Sequence, residues 1–435
     1  MVQAAFGREV AQFLDIAREK IAREGTLDLG WFETTLRAAA QKDTAKIIEQ
    51  FLNRELPGLL PPEALRKGEQ FHSWRKRRVM TLVGPISLCR AYYRSTQGGR
   101  CPLDEQLGLY QQYTPAVAQL MCWAGAMDPS FEQASELLRR FAGLDIPGRQ
   151  IPRVVQHYAA HATRWMINRS TPPRSRPVDI LNLQADMTGI PMRPEELRGI
   201  AGKQPDGRAK TRQIKLGCVF TQSTDAHGHP QRDPLSSTYV STFSDVTDFS
   251  ALLYKEALKR GYASARTTVF LGDGAEWIWN MVQDRFRGAV EIVDFYHACE
   301  HLHELCQTLE ADPGRADSLF RAWRHRLKRN GLPRILRESE ERAGAFGPSM
   351  REIIAKQLRY FYTNAHRMTY RTFQRKGYFI GSGAIEGGCR HIVAQRAKLS
   401  GMRWLRAGAA HVLAFRCLIK RNLFDEYCKA WTTAA

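Results

Sequence analysis

The order of hydrophobic patterns between residues 178 and 309 leaves few architectures open. Three strand-like runs follow one another, "VDILNLQADM", "RQIKLGCVFTQ" and "SSTYVSTFS", separated by turn-forming residues. Helix and strand then alternate. "DFSALLYKEALKRGY" reads as helix, "TTVFLGD" as strand, "AEWIWNMVQDRF" as helix, "AVEIVDF" as strand and "HACEHLHELCQTL" as helix. Consecutive strands followed by such alternation describe an α/β region, a mixed sheet flanked by helices.

The acids fall at telling places in that pattern. Asp186 closes "ILNLQAD", and Asp273 closes "TVFLGD" just before a helix. Glu386 opens the helix that follows a glycine cluster, in "GSGAIEGG". Open sheets bind ligands at the edge where such strands end. Three carboxylates meeting there repel one another and stay ionised only beside cations. Oxygen donors alone suit Mg²⁺ or Mn²⁺ rather than Zn²⁺. Two such ions, about 3.5–4 Å apart, activate a water or hydroxyl and stabilise the leaving oxygen in phosphodiester cleavage. Each acid also has a plainer role, as strand stop, turn or cap, or first-turn acid. Only their joint occurrence on one sheet points to a shared metal site. "GSGAIEGG" fits neither G-x-G-x-x-G nor G-K-[ST], so its glycines read as room for another backbone to approach.

Charge narrows the partner. Lys and Arg total 64 against 44 Asp and Glu, a net charge of +20 over 435 residues, which favours a polyanion such as nucleic acid. The start, "MVQAAFGREVAQF", lacks the build of a signal peptide, and no apolar run approaches the roughly 18–20 residues of a membrane span. Nine scattered cysteines without a C-x-x-C pair point to a reducing cytoplasm and no four-cysteine zinc site. A competing reading comes from "VDFYHACEHLHEL", where His297, Glu300 and His301 match the H-x-x-E-H pattern of inverted zinc peptidases. That short pattern ignores the charge and leaves "GSGAIEGG" unexplained.

Upstream, residues 1–62 show helical spacing at Phe6, Val10, Phe13, Leu14 and Ala17, and again at Leu36, Ile47, Ile48 and Phe51, before "LPGLLPP" ends the block. Residues 63–112 contain "KRRVMTLVGPISLCRAYYRS", a hairpin around a Gly84-Pro85 turn, whose arginines and tyrosines either face DNA or belong to an amphipathic hairpin packing one face, the commoner outcome. In 113–168, "PSFEQASELLRRF" places Phe131, Ala134, Leu137, Leu138 and Phe141 on one helical face. A Gly-containing turn and a second helix follow, which fits a helix-turn-helix or a plain helical hairpin. Under the first reading Arg149 and Arg153 contact DNA. "NRSTPPRSRPVD" at 168–179 is the main linker, and 178–435 forms the last region.

Three stretches together, "LQADMTGIPM", "FLGDGAEWIW" and "GSGAIEGGCRHIVAQRAKLSGMRW", resemble bacterial insertion-sequence transposases of the ISKra type, with related patterns in the ISLre type. "PLDEQLGL" and the hairpin before it also look like that family, so the resemblance runs from about residue 70 to about 420. It implies a ribonuclease-H-like catalytic core with a helical insertion at about 305–378, and a mainly helical N-terminal DNA-binding region. Asp186, Asp273 and Glu386 would be the catalytic, metal-holding acids, with two Mg²⁺ or Mn²⁺ ions. "DFYH" matches the C/D-x-x-H motif of related enzymes, making Asp294 and His297 supporting residues. The implied activity is binding of terminal inverted repeats, DNA cleavage and strand transfer by a homo-oligomer in the bacterial cytoplasm, at the nucleoid. Arg396, Lys398 and Arg403 would hold phosphates, whereas Trp404 reads as core. Many relatives carry a C-x-x-C zinc knuckle where this chain has Cys101 alone, so a zinc-bound N-terminal module is not expected. An inactive DNA-binding relic is the alternative.

Overall fold

The computed structural model describes residues 7–55, 65–171, 177–202, 204, 207, 209–233 and 235–433. The expected helix break at 56–62, Phe6 and the middle of the 168–179 linker lie outside them. The chain divides into two compact units, one of residues 1–160 with 424–435 and one of 161–423. Among the described residues no helix is long and apolar enough to cross a membrane.

The first unit opens with two helices, Arg8–Glu24 and Leu29–Glu55, packed through Val10, Phe13, Ala17 and Ala39. Asp43 of the second caps the first, accepting from Glu9 N at 3.1 Å and Val10 N at 2.9 Å. That satisfies two of the donors a helix start leaves free. A hairpin of β1 (Gln70–Thr81) and β2 (Gly84–Ser95) follows, with a short β3 (Gly98–Arg100) beside β2. The turn is not Gly84-Pro85 as expected but Leu82-Val83, and Pro85 already pairs with Met80. Gly84 begins β2 at φ +116°, which a side chain would resist. Val79, Ile86 and Leu88 pack with Ala45 and Leu103 on one face of the hairpin. The outer edge of β2 is closed by side chains: Asn53 donates to Ser87 O at 2.8 Å and accepts from Cys89 N at 2.7 Å, and Glu49 accepts from Ser87 N at 2.7 Å. An edge occupied in this way resists pairing with another strand.

"PLDEQ" forms a short helix, Pro102–Gln106, whose Asp104 accepts from Arg77 at 2.9 Å and Arg90 at 2.5 Å. Cys101 before it is buried, and among the described residues no group of three metal donors includes it. The helix–turn–helix outline is present as Phe131–Leu137, a wide π turn Leu138–Ala142, and Ile151–Ala159. Ala134 and Leu138 are buried, but Phe141 is 73% exposed, contrary to its expected place on the apolar face. Phe141 lies within the π turn, whose wider spacing carries it off that face. The last helix, Phe424–Thr433, belongs to this unit, with Trp431 stacked on Tyr158 at 4.0 Å.

The second unit holds a mixed sheet of β4 (Ile180–Pro191), β5 (Thr211–Thr224), β6 (Pro230–Arg232), β7 (Thr238–Thr242), β8 (Thr267–Gly272) and β9 (Val290–Val293). β5 pairs antiparallel with β4, β6 and β7, while β4, β8 and β9 run parallel. The order is thus β6-β5-β4-β8-β9, with β7 also on β5. Leu181, Leu183, Val269, Phe270, Leu271 and Ile292 are buried together with Phe249, Leu253 and Ile278 from the flanking helices. Such near-continuous apolar runs suit parallel strands covered on both faces. The fold is therefore α/β with a mixed sheet and many helices, as the pattern implied. A helical block follows β9, made of Phe295–Leu309, Pro313–Lys328, Leu332–Ala343, Pro348–Asn364 and Tyr370–Arg375. It docks on the sheet partly through Arg367, which donates to Glu291 of β9 at 2.5 Å and lies over the Trp279 ring at 4.4 Å.

Two buried amides on β4 receive the chain that comes after this block. Asn182 donates to Gln222 Oε1 at 2.8 Å, and Gln222 in turn donates to Gly377 O at 2.7 Å. Gln184 accepts from Ile385 N at 2.9 Å. Buried polar groups need partners, and here the partners are the glycine-rich stretch and the short helix Gly383–Gly388.

Candidate metal centre

Two of the three neighbouring parallel strands end directly in acids, and the third carries one within its length. Asp273 follows β8 directly and Asp294 follows β9 directly. Asp186 lies two residues beyond Gln184, where the β4–β8 ladder stops. The expectation that Asp186 ends its strand needs correction: β4 runs on to Pro191, still paired with β5. What ends is its neighbour β8, so Asp186 flanks the opening at the carboxyl edge.

Local bonds fix each carboxylate. Asp186 accepts from Met187 N at 2.6 Å and from Cys389 Sγ at 3.3 Å. Burial raises its pKa against the pull of those two bonds, and the charge of Asp273 raises it further. Asp273 accepts from Ala275 N at 2.9 Å, shaping the turn through Gly274 rather than capping the Glu276–Arg285 helix. Gly274 sits at φ +100°, and a Cβ there would lie 2.7 Å from the Tyr360 ring, whose hydroxyl donates to Asp273 O at 3.0 Å. Asp294 is fully buried and caps the Phe295–Leu309 helix, accepting from His297 N at 2.7 Å and also from Ser382 N. Burial pushes its pKa up, but the bonds from His297 and Ser382 outweigh that and hold it below the ordinary value.

Glu386 comes from the other direction, on the Gly383–Gly388 helix, where it accepts from Ser382 Oγ. That helix rests on the sheet through Gln184, through Tyr239 OH donating to Ala384 O at 3.2 Å, and through Gly388. A Cβ on Gly388 would lie 2.6 Å from Tyr239 and 3.0 Å from Leu216. The close approach is thus of side chains and not of another backbone as expected.

The tightest donor group differs from the one the sequence suggested. Ligand atoms of Asp294, His297 and Glu386 lie within 4.8 Å of one another. His297 Nδ1 is buried, 3.4 Å from Asp294 Oδ1, and has no hydrogen-bond partner among the described residues. A mixed Asp, His and Glu set fits a divalent cation, and its imidazole suits Zn²⁺ or Fe²⁺ as well as the Mg²⁺ or Mn²⁺ that oxygen donors take. Asp186 and Asp273 flank it: Cys389, three residues after Glu386, donates to Asp186 at 3.3 Å, and Asp294 N donates at 2.7 Å to Gly272 O, next to Asp273. The supporting pair is therefore central to the geometry.

Without a metal, the Asp294 carboxylate raises the His297 imidazole to about 9 against the cost of burial. The stabilisation from that raised pKa is fully present below the unfolded value near 6.5 and is lost as pH rises through about 9. His297 is 40% exposed, so the effect is discounted to on the order of 1 kcal/mol. In chelator, the thermal midpoint is expected to fall between pH 6.5 and 9, and His297→Asn should flatten that fall. An equal fall in the variant would remove His297 as its source.

The other residues singled out by sequence divide. His301 packs on the Tyr360 ring at 3.9 Å, its pKa lowered by burial, and neither it nor Glu300 joins the donor group. Arg149 and Arg153 are exposed, as phosphate contacts require. Arg396 is not: it is buried, with its guanidinium 4.9 Å from the Trp404 ring, so it serves the core. Lys398 is half-buried and donates to Thr188 Oγ1. Arg403 is exposed and lines a cleft of about 940 Å³ with Arg198 and Lys210. Gln184, Ser382, Cys389 and Tyr360 were missed. Only Cys389 carried a signal, since it sits three residues after Glu386 on a helix.

No protein-family model and no curated protein matches the chain. Among solved structures, it is similar to the Drosophila P element transposase strand transfer complex, at 8% identity and a TM-score of 0.26 over 74% of this chain and 81% of that one.

Proposed function

We propose that this chain is a metal-dependent DNA transposase with a ribonuclease-H-like core, of the kind its motifs resemble. The observation that carries the reading is the grouping of Asp294, His297 and Glu386 within 4.8 Å, at the sheet edge where Cys389 bonds Asp186 and Asp294 N bonds Gly272 O beside Asp273. Strand order supports it as well: β5 pairs antiparallel with β4, β6 and β7, and two further strands run parallel to β4, an order that contains the three-then-two arrangement of that core.

In this reading Asp186, Asp273 and Glu386 hold Mg²⁺ or Mn²⁺, with Asp294 and His297 beside them. Bound divalent cations would supply charge neutralisation at the phosphodiester and acidify a coordinated water. The chain's own residues do the rest. Ser382 orients Glu386, Asp294 fixes both Ser382 and the helix bearing His297, and Tyr360 fixes the turn that carries Asp273. Exposed Arg149, Arg153 and Arg403 supply phosphate contacts, and the partners are the inverted repeats and target DNA, met by a homo-oligomer in the cytoplasm. The test is incubation of purified protein with end-labelled DNA flanking its own gene and Mn²⁺ or Mg²⁺. Discrete cuts at flanking inverted repeats, retained in His301→Ala, are expected. Binding without any cut would favour the inactive relic.

A further inference from the structure

Among the described residues, one side of the N-terminal hairpin presents exposed rings near its open end. While Val79, Ile86 and Leu88 face its core, the opposite side presents Phe71 and Trp74, 52% and 54% exposed, with Tyr93 against Phe71. The rings cluster, Phe71–Trp74 centroids lying 5.8 Å apart and Phe71–Tyr93 6.0 Å. A register shift between Phe71 and Ser73 brings Phe71 onto the same side as Trp74. By strand alternation Lys76 and Arg78 extend that side, both exposed and neither in an ion pair among the described residues. β1, β2 and β3 contain no Asp or Glu. The carboxylates of Glu69 and Asp104 are taken by Arg100, Arg77 and Arg90.

We propose that this face binds single-stranded nucleic acid. Exposed rings in a cluster offer stacking platforms for unstacked bases, and two free cations a residue apart in β1 track a phosphate backbone. A paired duplex hides the base faces that such rings would meet. The inference is independent of whether the carboxylate centre cleaves DNA.

Fluorescence anisotropy of the full-length protein in chelator, with a labelled mixed-sequence oligodeoxynucleotide, tests it. Phe71→Ala with Trp74→Ala is expected to weaken single-strand binding by about tenfold or more, with far less change for the same sequence as duplex. Lys76→Gln with Arg78→Gln is expected to flatten the salt dependence by a slope of about 1.4. Phe71→Leu with Trp74→Leu keeps apolar bulk without rings, and should lose affinity like the alanine pair while keeping the parent's thermal midpoint. Unchanged single-strand binding in both ring variants would overturn the proposal. So would equal loss on duplex, or preference for phosphatidylglycerol vesicles over oligonucleotide that the ring variants abolish.

Discussion

Asp273→Asn should leave DNA affinity and thermal stability near those of the parent while lowering metal-dependent cleavage by roughly 10²–10³-fold or more. The substitution suits the question because asparagine keeps an oxygen to accept from Ala275 N, the bond at 2.9 Å that shapes the turn after β8. The Tyr360 hydroxyl holds the backbone carbonyl of residue 273, which the change does not touch. What is removed is one negative charge at the end of β8, next to the Gly272 carbonyl that Asp294 N bonds. A cation held by that charge loses affinity, so part of the loss should be recovered at high Mn²⁺. Full cleavage by the variant at ordinary metal concentration would remove Asp273 from the chemistry.

The second large effect is structural. Asp294→Ala is expected to destabilise the protein by about 2–4 kcal/mol, read from urea unfolding in chelator. Asp294 is fully buried, caps the Phe295–Leu309 helix and accepts from Ser382 N. Alanine leaves both amides without their acceptor, one at a helix start and one in the segment that presents Glu386. Loss of the cap is worth about 1 kcal/mol, and a stranded buried N–H about 1–3 kcal/mol. Asp294→Asn keeps one acceptor oxygen and should cost less. A loss below about 1 kcal/mol in the alanine variant would mean that Ser382 and His297 find other partners.

Much of the core was legible because strands and helices there have pure periodicities. The succession from "VDILNLQADM" to "HACEHLHELCQTL" matched β4 through the Phe295–Leu309 helix, apart from the short β6. The acids were legible for the same reason, since Asp186, Asp273 and Asp294 sit at or beyond apolar runs. What stayed hidden was tertiary. Nothing local says that the strand ended by Asp294 lies parallel beside β8, or that Asp294 meets Glu386. Arg396 looks like a surface cation until Trp404 closes over it. Phe141 obeys the helical period until a π turn shifts the phase. Gly84-Pro85 resembles a turn dipeptide, but the glycine starts β2 and the turn lies two residues earlier, at Leu82-Val83.

The bond from Ile385 N to Gln184 spans 201 positions of chain, and that from Cys389 to Asp186 spans 203. Asp273 and Asp294 sit only a strand and a helix apart, so their part of the sheet can form from short-range contacts. Closing the long loop costs entropy before its contacts give anything back. Glu386 is therefore expected to arrive last in folding, after the helical block has condensed. A chain released early from synthesis, or unfolding partway, would hold its aspartates in place with no glutamate beside them, structured yet inert.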